Sequence, residues 1–154
     1  MMSIPFQIVI DCKDPELLAR FWAAALGYVL EPAPEGFATW DDWRRETGLP
    51  DSYLGKGPDS ITDPGGEGPR MWFREEDEAK VAKNRLHFDI HVSGGRTVVE
   101  GRSFPLATRT QRVDAEAGRL AGLGATITGP LGDGSLDHYA VGMKDPEGNE
   151  FDIN

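Results

Sequence analysis

Histidines and a carboxylate fall at positions that could bring them together on one face of a sheet. In KNRLHFDIHV at residues 83–92, His87 and His91 alternate with apolar residues, and this two-residue period predicts a strand with one polar face. EFDI at 150–153 predicts a second strand with Asp152 on its polar face. If the two strands share a sheet, imidazole and carboxylate face one concavity. Such groups can bind a divalent metal ion, or they can be ordinary polar residues on a half-wet face.

The composition restricts the classes of partner. The 154 residues suffice for one domain, or for two small halves that share a core. A formal net charge of -10 argues against nucleic acid or an anionic membrane, because both require a basic surface. Cys12 is the only cysteine, which excludes an intrachain disulfide, and no apolar run predicts a signal peptide or a membrane span. We therefore expect a cytoplasmic protein with small-molecule or protein partners and a buried, unreactive Cys12.

The first part of the chain predicts a strand, a helix and a strand in that order. FQIVID at 6–11 is typical of a strand, and Asp14-Pro15-Glu16 is typical of a helix start. Apolar residues recur every three or four positions as far as Gly27, which suits a helix C-cap. YVLE at 28–31 predicts the second strand, and RMWF at 70–73 predicts a later strand that returns to the sheet.

Two stretches carry weaker patterns. Trp40 and Trp43 lie in a strand edge or a short helix, and residues 55–69 are rich in Gly and Pro, which predicts a long loop. Residues 93–112 also predict an irregular stretch. It holds four arginines, for which a solvated basic loop is the simplest expectation; they are Arg96, Arg102, Arg109 and Arg112.

The last part of the chain repeats the order of the first. Helical spacing begins at Val113 and ends at Gly124, and strands are predicted for ATITG at 125–129 and HYAVGMK at 138–144. A DPEGN turn then leads into the final strand. The segments ALGYVLE and GLGATIT stand at the same helix-to-strand junction in each half. We infer a duplication with modules at 1–80 and 81–154, which pair into one mixed sheet curling around a cleft.

Four segments give the chain a family resemblance. They resemble the vicinal oxygen chelate superfamily, the glyoxalase and bleomycin-resistance type, and above all its glyoxalase-like members; the segments are DPELLARFWAAALGY, KNRLHFDIHV, VDAEAGRLAGLGA and DPEGNEFDI. The resemblance implies an α+β fold of two paired βαβββ modules that form a curled eight-strand mixed sheet around a cleft. It also implies a homodimer.

The same resemblance implies a metal site. Gln7, His87 and Asp152 match ligand positions on the first, fifth and last strands, and they would hold one divalent ion of Zn, Ni, Mn or Fe. The family's fourth ligand is usually a glutamate on the fourth strand. RMWFR at 70–74 offers no carboxylate before Glu75, which we expect beyond the strand end. This departure argues against glyoxalase activity proper.

Aromatic side chains and one arginine are candidates for a ligand wall. Trp40, Tyr53 and Trp72 suit an apolar pocket, and Arg74 suits a ligand carboxylate. Core packing is the alternative for the aromatic residues. Two functions stay open at this point, and a purely structural or interaction domain is the third, weaker alternative. One is a metal-dependent lyase or isomerase of the glyoxalase-like group, and the other is a metal-free module that sequesters a planar or aromatic compound.

Overall fold

The chain folds into two compact units that share one topology. The computed structural model describes residues 4–95, 97–132 and 137–154, and it divides into Met1–Glu78 and Ala79–Asn154. Apart from short helices, each unit runs strand, helix, strand, strand, strand and builds its own four-stranded mixed sheet. The predicted α+β fold of two βαβββ modules with eight strands is therefore confirmed, but the strands form two four-stranded sheets and not the single eight-strand sheet that the sequence predicted.

The first unit packs one long helix against its sheet. The elements are β1 Gln7–Cys12, α1 Pro15–Leu26, β2 Val29–Leu30, α2 Trp40–Glu46, a 3-10 turn Asp51–Tyr53, β3 Ser60–Thr62 and β4 Arg70–Glu75. In the sheet the strand order is β1-β4-β3-β2, with β1 parallel to β4 and the other pairs antiparallel. Helix α1 contacts β3 and β4.

Helix α1 begins and ends where the sequence predicts. Asp14 Oδ1 accepts a hydrogen bond from the Leu17 N–H at 2.9 Å, and Gly27 takes the left-handed conformation at φ 71°. Alternation in β1 and β4 sends one set of side chains, with Cys12, Met71 and Phe73 among them, into the core. The opposite set forms the polar face of the first unit, and its members are Gln7, Val9, Asp11, Arg70, Trp72 and Arg74.

Two expectations for the first unit need correction. Residues 55–69 are not one long loop, because β3 lies within them and its Ile61 is fully buried between β2 and β4. Glu75 lies within β4, opposite Cys12, and not beyond the strand end. Of the two alternatives predicted for Trp40 and Trp43, the structure shows the short helix, α2.

The second unit repeats the first with a longer helix. The elements are β5 Asp89–Ile90, α3 Val98–Gly101, α4 Leu106–Gly122, β6 Thr126–Leu131, β7 Ala140–Lys144 and β8 Glu150–Ile153. The strand order is β5-β8-β7-β6, with β5 parallel to β8, and α4 contacts β6, β7 and β8. Buried residues of α4 and of the sheet form the core of this unit; they include Val113, Ala117, Leu120, Met143, Phe151 and Ile153.

The strand predicted at 86–92 is shorter than expected. Only Asp89–Ile90 forms β5, although the backbone bonds of its neighbours Phe88 and Val92 extend the pairing with β8. The partner β8 has four residues, so little of the segment can be paired. Leu86 lies outside this pairing and is 90% exposed, so it does not belong to a dry face.

The arginine-rich stretch is largely helical. Helix α4 begins at Leu106, seven residues before Val113, and includes Arg109 and Arg112. Arg109 is buried, donates to the Phe104 carbonyl oxygen and pairs with Asp137, so it is not a solvated loop residue. Arg112 donates to a backbone carbonyl and lies over the Phe104 ring. Arg102 is exposed, and Arg96 lies outside the described residues.

None of the helices in the described part of the chain has the length and apolar character needed to cross a bilayer.

Candidate functional site

The polar face of the second unit brings one histidine and two aspartates together. Asp89 and Asp152 lie side by side in the parallel β5–β8 pair. His87 Nε2 lies 3.4 Å from Asp152 Oδ2 and 3.5 Å from Asp89 Oδ1. The three candidate ligand atoms all lie within 4.8 Å of one another. The structure therefore places His87 beside Asp152, and it adds Asp89 as a third donor.

The spacing within this cluster suits a metal ion better than direct hydrogen bonds. Separations of 3.4 and 3.5 Å are too long for a strong hydrogen bond between an imidazole nitrogen and a carboxylate oxygen. A tetrahedral ion with ligand bonds of about 2.0 to 2.1 Å would separate its donor atoms by about 3.3 Å. The two separations from His87 are therefore compatible with ligands that share one divalent ion.

The charges in the cluster also favour a cation. Burial raises the pKa of Asp152 above its ordinary value, the nearby His87 opposes the rise, and Asp89 adds to it. Two neighbouring carboxylates repel each other, so a cation between them would be stabilised.

The end of the chain fixes the position of this cluster through backbone hydrogen bonds. In the DPEGN turn, Asp145 Oδ1 accepts from the N–H groups of Glu147 and Asn149, both at 2.9 Å. Glu150 at the start of β8 accepts from the Asn84 N–H at 3.0 Å and pairs with Lys80 at 2.9 Å. These contacts lower the pKa of Glu150 to about 2, with the Asn84 hydrogen bond as the main cause. They tie the segment before His87 to β8.

Gln7 lies in the first unit, where its amide oxygen already has a partner. Arg70 stands opposite Gln7 in the β1–β4 register, and its Nη1 donates to Gln7 Oε1 at 2.7 Å. The same guanidinium is bound by Glu31 and Ser60. Gln7 as a metal ligand stays a prediction.

Strand β4 carries an aromatic residue at the place equivalent to Asp152. In the first unit, Gln7 stands two residues before Val9, which pairs with Trp72 of the neighbouring parallel strand. In the second unit, His87 stands two residues before Asp89, which pairs with Asp152 in the same way. Glu75 pairs with Lys56, and its place in the strand puts it on the opposite face from Trp72. The first unit thus offers an aromatic surface where the second offers a carboxylate.

A cavity of about 470 Å³ opens in the first unit beside this aromatic residue. Trp72 donates from its indole Nε1 to Asp59 Oδ2 at 3.3 Å, which holds the ring, and Tyr53 stands nearby on the 3-10 turn. Nine of the lining residues are aromatic or charged, namely Arg44, Tyr53, Lys56, Asp59, Trp72, Phe73, Arg74, Glu75 and Glu76.

Three of the four residues proposed for substrate binding line this cavity, and Trp40 does not. Trp40 donates to the Glu31 carbonyl oxygen at 3.0 Å and packs edge to face against Trp43. The sequence reasoning missed Arg44, which lies on α2 and is buried. The capping box of Thr39 and Asp42 could have revealed the start of α2, but it gives no sign that Arg44 is buried.

Solved structures share this fold at low sequence identity. A mutant form of the fosfomycin resistance protein FosX from Listeria monocytogenes, complexed with Mn(II) and 1S,2S-dihydroxypropylphosphonic acid, is 12% identical with a TM-score of 0.61; the match covers 100% of this chain and 92% of that one. A hypothetical protein from S. aureus is 15% identical with a TM-score of 0.57, covering 99% of this chain and 94% of that one. A glyoxalase/bleomycin resistance protein/dioxygenase family enzyme from Burkholderia phytofirmans PsJN is 17% identical with a TM-score of 0.54, covering 96% and 94%.

The family comparison agrees with these folds. No curated protein matches the sequence. Residues 7–154 match the glyoxalase-like domain family, which covers both units. The chain therefore belongs to the glyoxalase-like domain family.

Proposed function

We propose that this glyoxalase-like protein binds a small planar or aromatic molecule in the cavity of the first unit. The observation that carries the proposal is the cavity itself, about 470 Å³ in volume with Tyr53 and Trp72 in its wall. Small-molecule pockets commonly have about 300 to 1,000 Å³ and combine aromatic walls with a few fixed polar groups.

The polar groups around this cavity are held in place before any ligand arrives. Asp59 accepts from the Trp72 indole, and Arg74 donates to both oxygens of Asp11 at 3.0 and 3.1 Å. A wall whose side chains are already hydrogen-bonded loses little conformational entropy on binding. This favours recognition of a rigid, flat molecule.

Calorimetric titration with 1-naphthamide, a neutral planar probe, tests the proposal. We expect binding to the wild-type protein and a loss of roughly tenfold or more in Tyr53→Ala and Trp72→Leu, because each removes aromatic contact area. Trp40→Leu is the matched control, since Trp40 does not line the cavity. Absence of binding, or an equal loss in Trp40→Leu, would contradict the proposal.

A metal-dependent lyase or isomerase is the second candidate function, favoured by the cluster in the second unit. His87, Asp89 and Asp152 would hold the ion, which would act as a Lewis acid on a substrate oxygen. FosX, a protein of similar fold, has been crystallised with Mn(II).

Metal analysis decides on this second candidate. Purified protein is loaded separately with Zn(II), Ni(II), Mn(II) and Fe(II), desalted, and assayed for bound metal. We expect one equivalent of one of these ions in the wild type, and none in His87→Ala. His138→Ala is the matched control, because His138 lies outside the cluster. If the wild-type protein retains none of the four ions, the metal-dependent function is ruled out.

A homodimer and a cytoplasmic location stay predictions from the resemblance and the composition. Sedimentation velocity of the purified chain tests the dimer, for which we expect a mass of twice 16.9 kDa.

A further inference from the structure

Arg44 is a buried cation with unused hydrogen-bond donors. The residue is 8% exposed and lines the cavity of the first unit. Its Nη1 donates to Asp41 Oδ1 at 3.0 Å, and no described residue accepts a hydrogen bond from its Nε or Nη2. No sealed side-chain nitrogen in the described part of the chain lacks a partner, so these two atoms keep access to open space.

The two unused nitrogens form one edge of the guanidinium. Nε and Nη2 present parallel N–H groups, whose spacing matches the two oxygens of a carboxylate. Asp41 occupies the other side and is itself fixed, because its second oxygen accepts the Gly55 N–H at 2.8 Å. That hydrogen bond and Arg44 hold the pKa of Asp41 below its ordinary value, so Asp41 stays ionised and keeps its place.

The other cations that line the cavity already have ionic partners. Arg74 is bound by Asp11 and Glu76, and Lys56 is bound by Glu75. Neither presents two neighbouring nitrogens without hydrogen-bond partners, as Arg44 does. A charged hydrogen bond is also stronger at a site that excludes most water than at the exposed surface.

We propose that the ligand of this cavity carries a carboxylate, which the Nε and Nη2 atoms of Arg44 bind while its planar body lies against Tyr53 and Trp72. This inference rests on the proposed binding of a small molecule in the same cavity, and it adds the chemical class of that molecule. Hydrogen bonds that involve a charged group contribute enough to change affinity by roughly 10- to 100-fold.

Two probes of one shape separate the carboxylate from the planar body. Calorimetry compares 1-naphthoate with 1-naphthamide, its neutral counterpart, on the wild type and on Arg44→Met, which keeps an apolar stem of similar length. Arg45→Met is the matched control, since Arg45 is the next residue of α2 and is exposed. Circular dichroism confirms that each variant is folded, and Arg44→Lys keeps the charge while removing the fork if Arg44→Met does not fold.

We expect the wild type and Arg45→Met to bind 1-naphthoate at least tenfold more tightly than 1-naphthamide, and Arg44→Met to bind the two equally. Arg44→Lys should keep only a small part of the preference, because an ammonium group lacks the fork. If the wild type binds both probes equally, or Arg44→Met keeps the preference, the carboxylate site is wrong while the small-molecule cavity stands. If neither probe binds, both proposals fail.

Discussion

Gln7 and Arg70 face each other across the parallel β1–β4 pair, and the Arg70 guanidinium donates to Gln7 Oε1 at 2.7 Å. The same guanidinium binds Glu31 through Nε at 2.9 Å and Nη2 at 2.6 Å, and it donates to Ser60 Oγ at 2.8 Å. One arginine thus joins side chains from β1 and β3 and the residue that follows β2. The polar side chains of this face are thus arranged around the permanently charged guanidinium of Arg70.

Removing this arginine should destabilise the protein. Arg70→Met leaves the half-buried Glu31 carboxylate without its fork of donors, and we expect a loss of about 1 to 3 kcal/mol in the free energy of unfolding. Arg20→Met, which breaks the exposed pair with Glu16, should cost no more than about 0.5 kcal/mol. Urea denaturation measures both values. Equal losses would show that the Arg70 network contributes no more than a surface ion pair.

Metal binding should depend on Asp89 more than on Gln7. The Gln7 oxygen is hydrogen-bonded to Arg70, whereas Asp89 lies in the cluster with His87. We expect Gln7→Ala to change metal affinity by less than about threefold. Loss of a residue that merely supports a ligand costs roughly 10- to 100-fold, and Asp89→Asn, which removes a charged ligand, should cost at least that. Isothermal titration with the ion that the wild type retains measures both. The reverse order would favour Gln7, His87 and Asp152 as the ligand set.

The best-predicted parts of the fold carry their own local signals. Helix α1 has an aspartate cap, a proline in its first turn and a terminal glycine, so both of its ends could be predicted. The DPEGN turn likewise determines where β8 begins. In such segments, hydrogen bonds within a few residues decide the conformation, and the sequence displays them directly.

The elements that sequence reasoning missed depend on distant partners. Strand β3 has three residues, too few for a clear period, and it exists because β2 and β4 pair with it on either side. Helix α4 begins after Pro105 with no side-chain cap, so the local sequence gives no signal for its first turns. Burial of Arg109 requires Asp137, which is 28 residues away.

The candidate site could be predicted only in part, because strand alternation is a local signal whereas strand register depends on distant partners. Strand alternation placed His87 and Asp152 on polar faces, and the structure brings them together. Asp89 was not predicted as a ligand, because the β5–β8 register that sets it beside Asp152 cannot be deduced from either strand alone. Arg44 was not predicted because its burial depends on the tertiary packing of α2, which the local sequence does not determine.

Asp63 should make the stability of the first unit fall in acid. Its carboxylate accepts three backbone N–H bonds, from Gly65 at 2.8 Å, Glu67 at 2.9 Å and Gly68 at 2.7 Å, and they lower its pKa, with Gly65 as the main cause. A lowered folded-state pKa stabilises the fold fully above the unfolded-state value of about 3.8. That contribution is lost as the pH falls through the folded-state value.

The measurement compares wild type with Asp63→Asn by urea unfolding from about pH 7 down to about pH 2. The difference in unfolding free energy should be constant above about pH 5 and shrink in acid. Asp77→Asn, at an exposed position after β4, is the control and should differ little from wild type throughout. A difference for Asp63→Asn that did not change with pH would mean that the carboxylate charge is not what stabilises the turn.

Two glycine substitutions should have effects of opposite sign. Gly27 ends α1 at φ 71° and its N–H donates to the Ala23 carbonyl, while a Cβ added there would meet no atom within 4 Å. Gly27→Ala therefore changes only backbone strain, and we expect a loss of about 1 kcal/mol. Gly118 lies exposed inside α4 and also has open space, so Gly118→Ala should add about 0.5 to 1 kcal/mol. Urea unfolding curves for the two variants test this directly; if both shift in the same direction, the left-handed cap is not what fixes the end of α1.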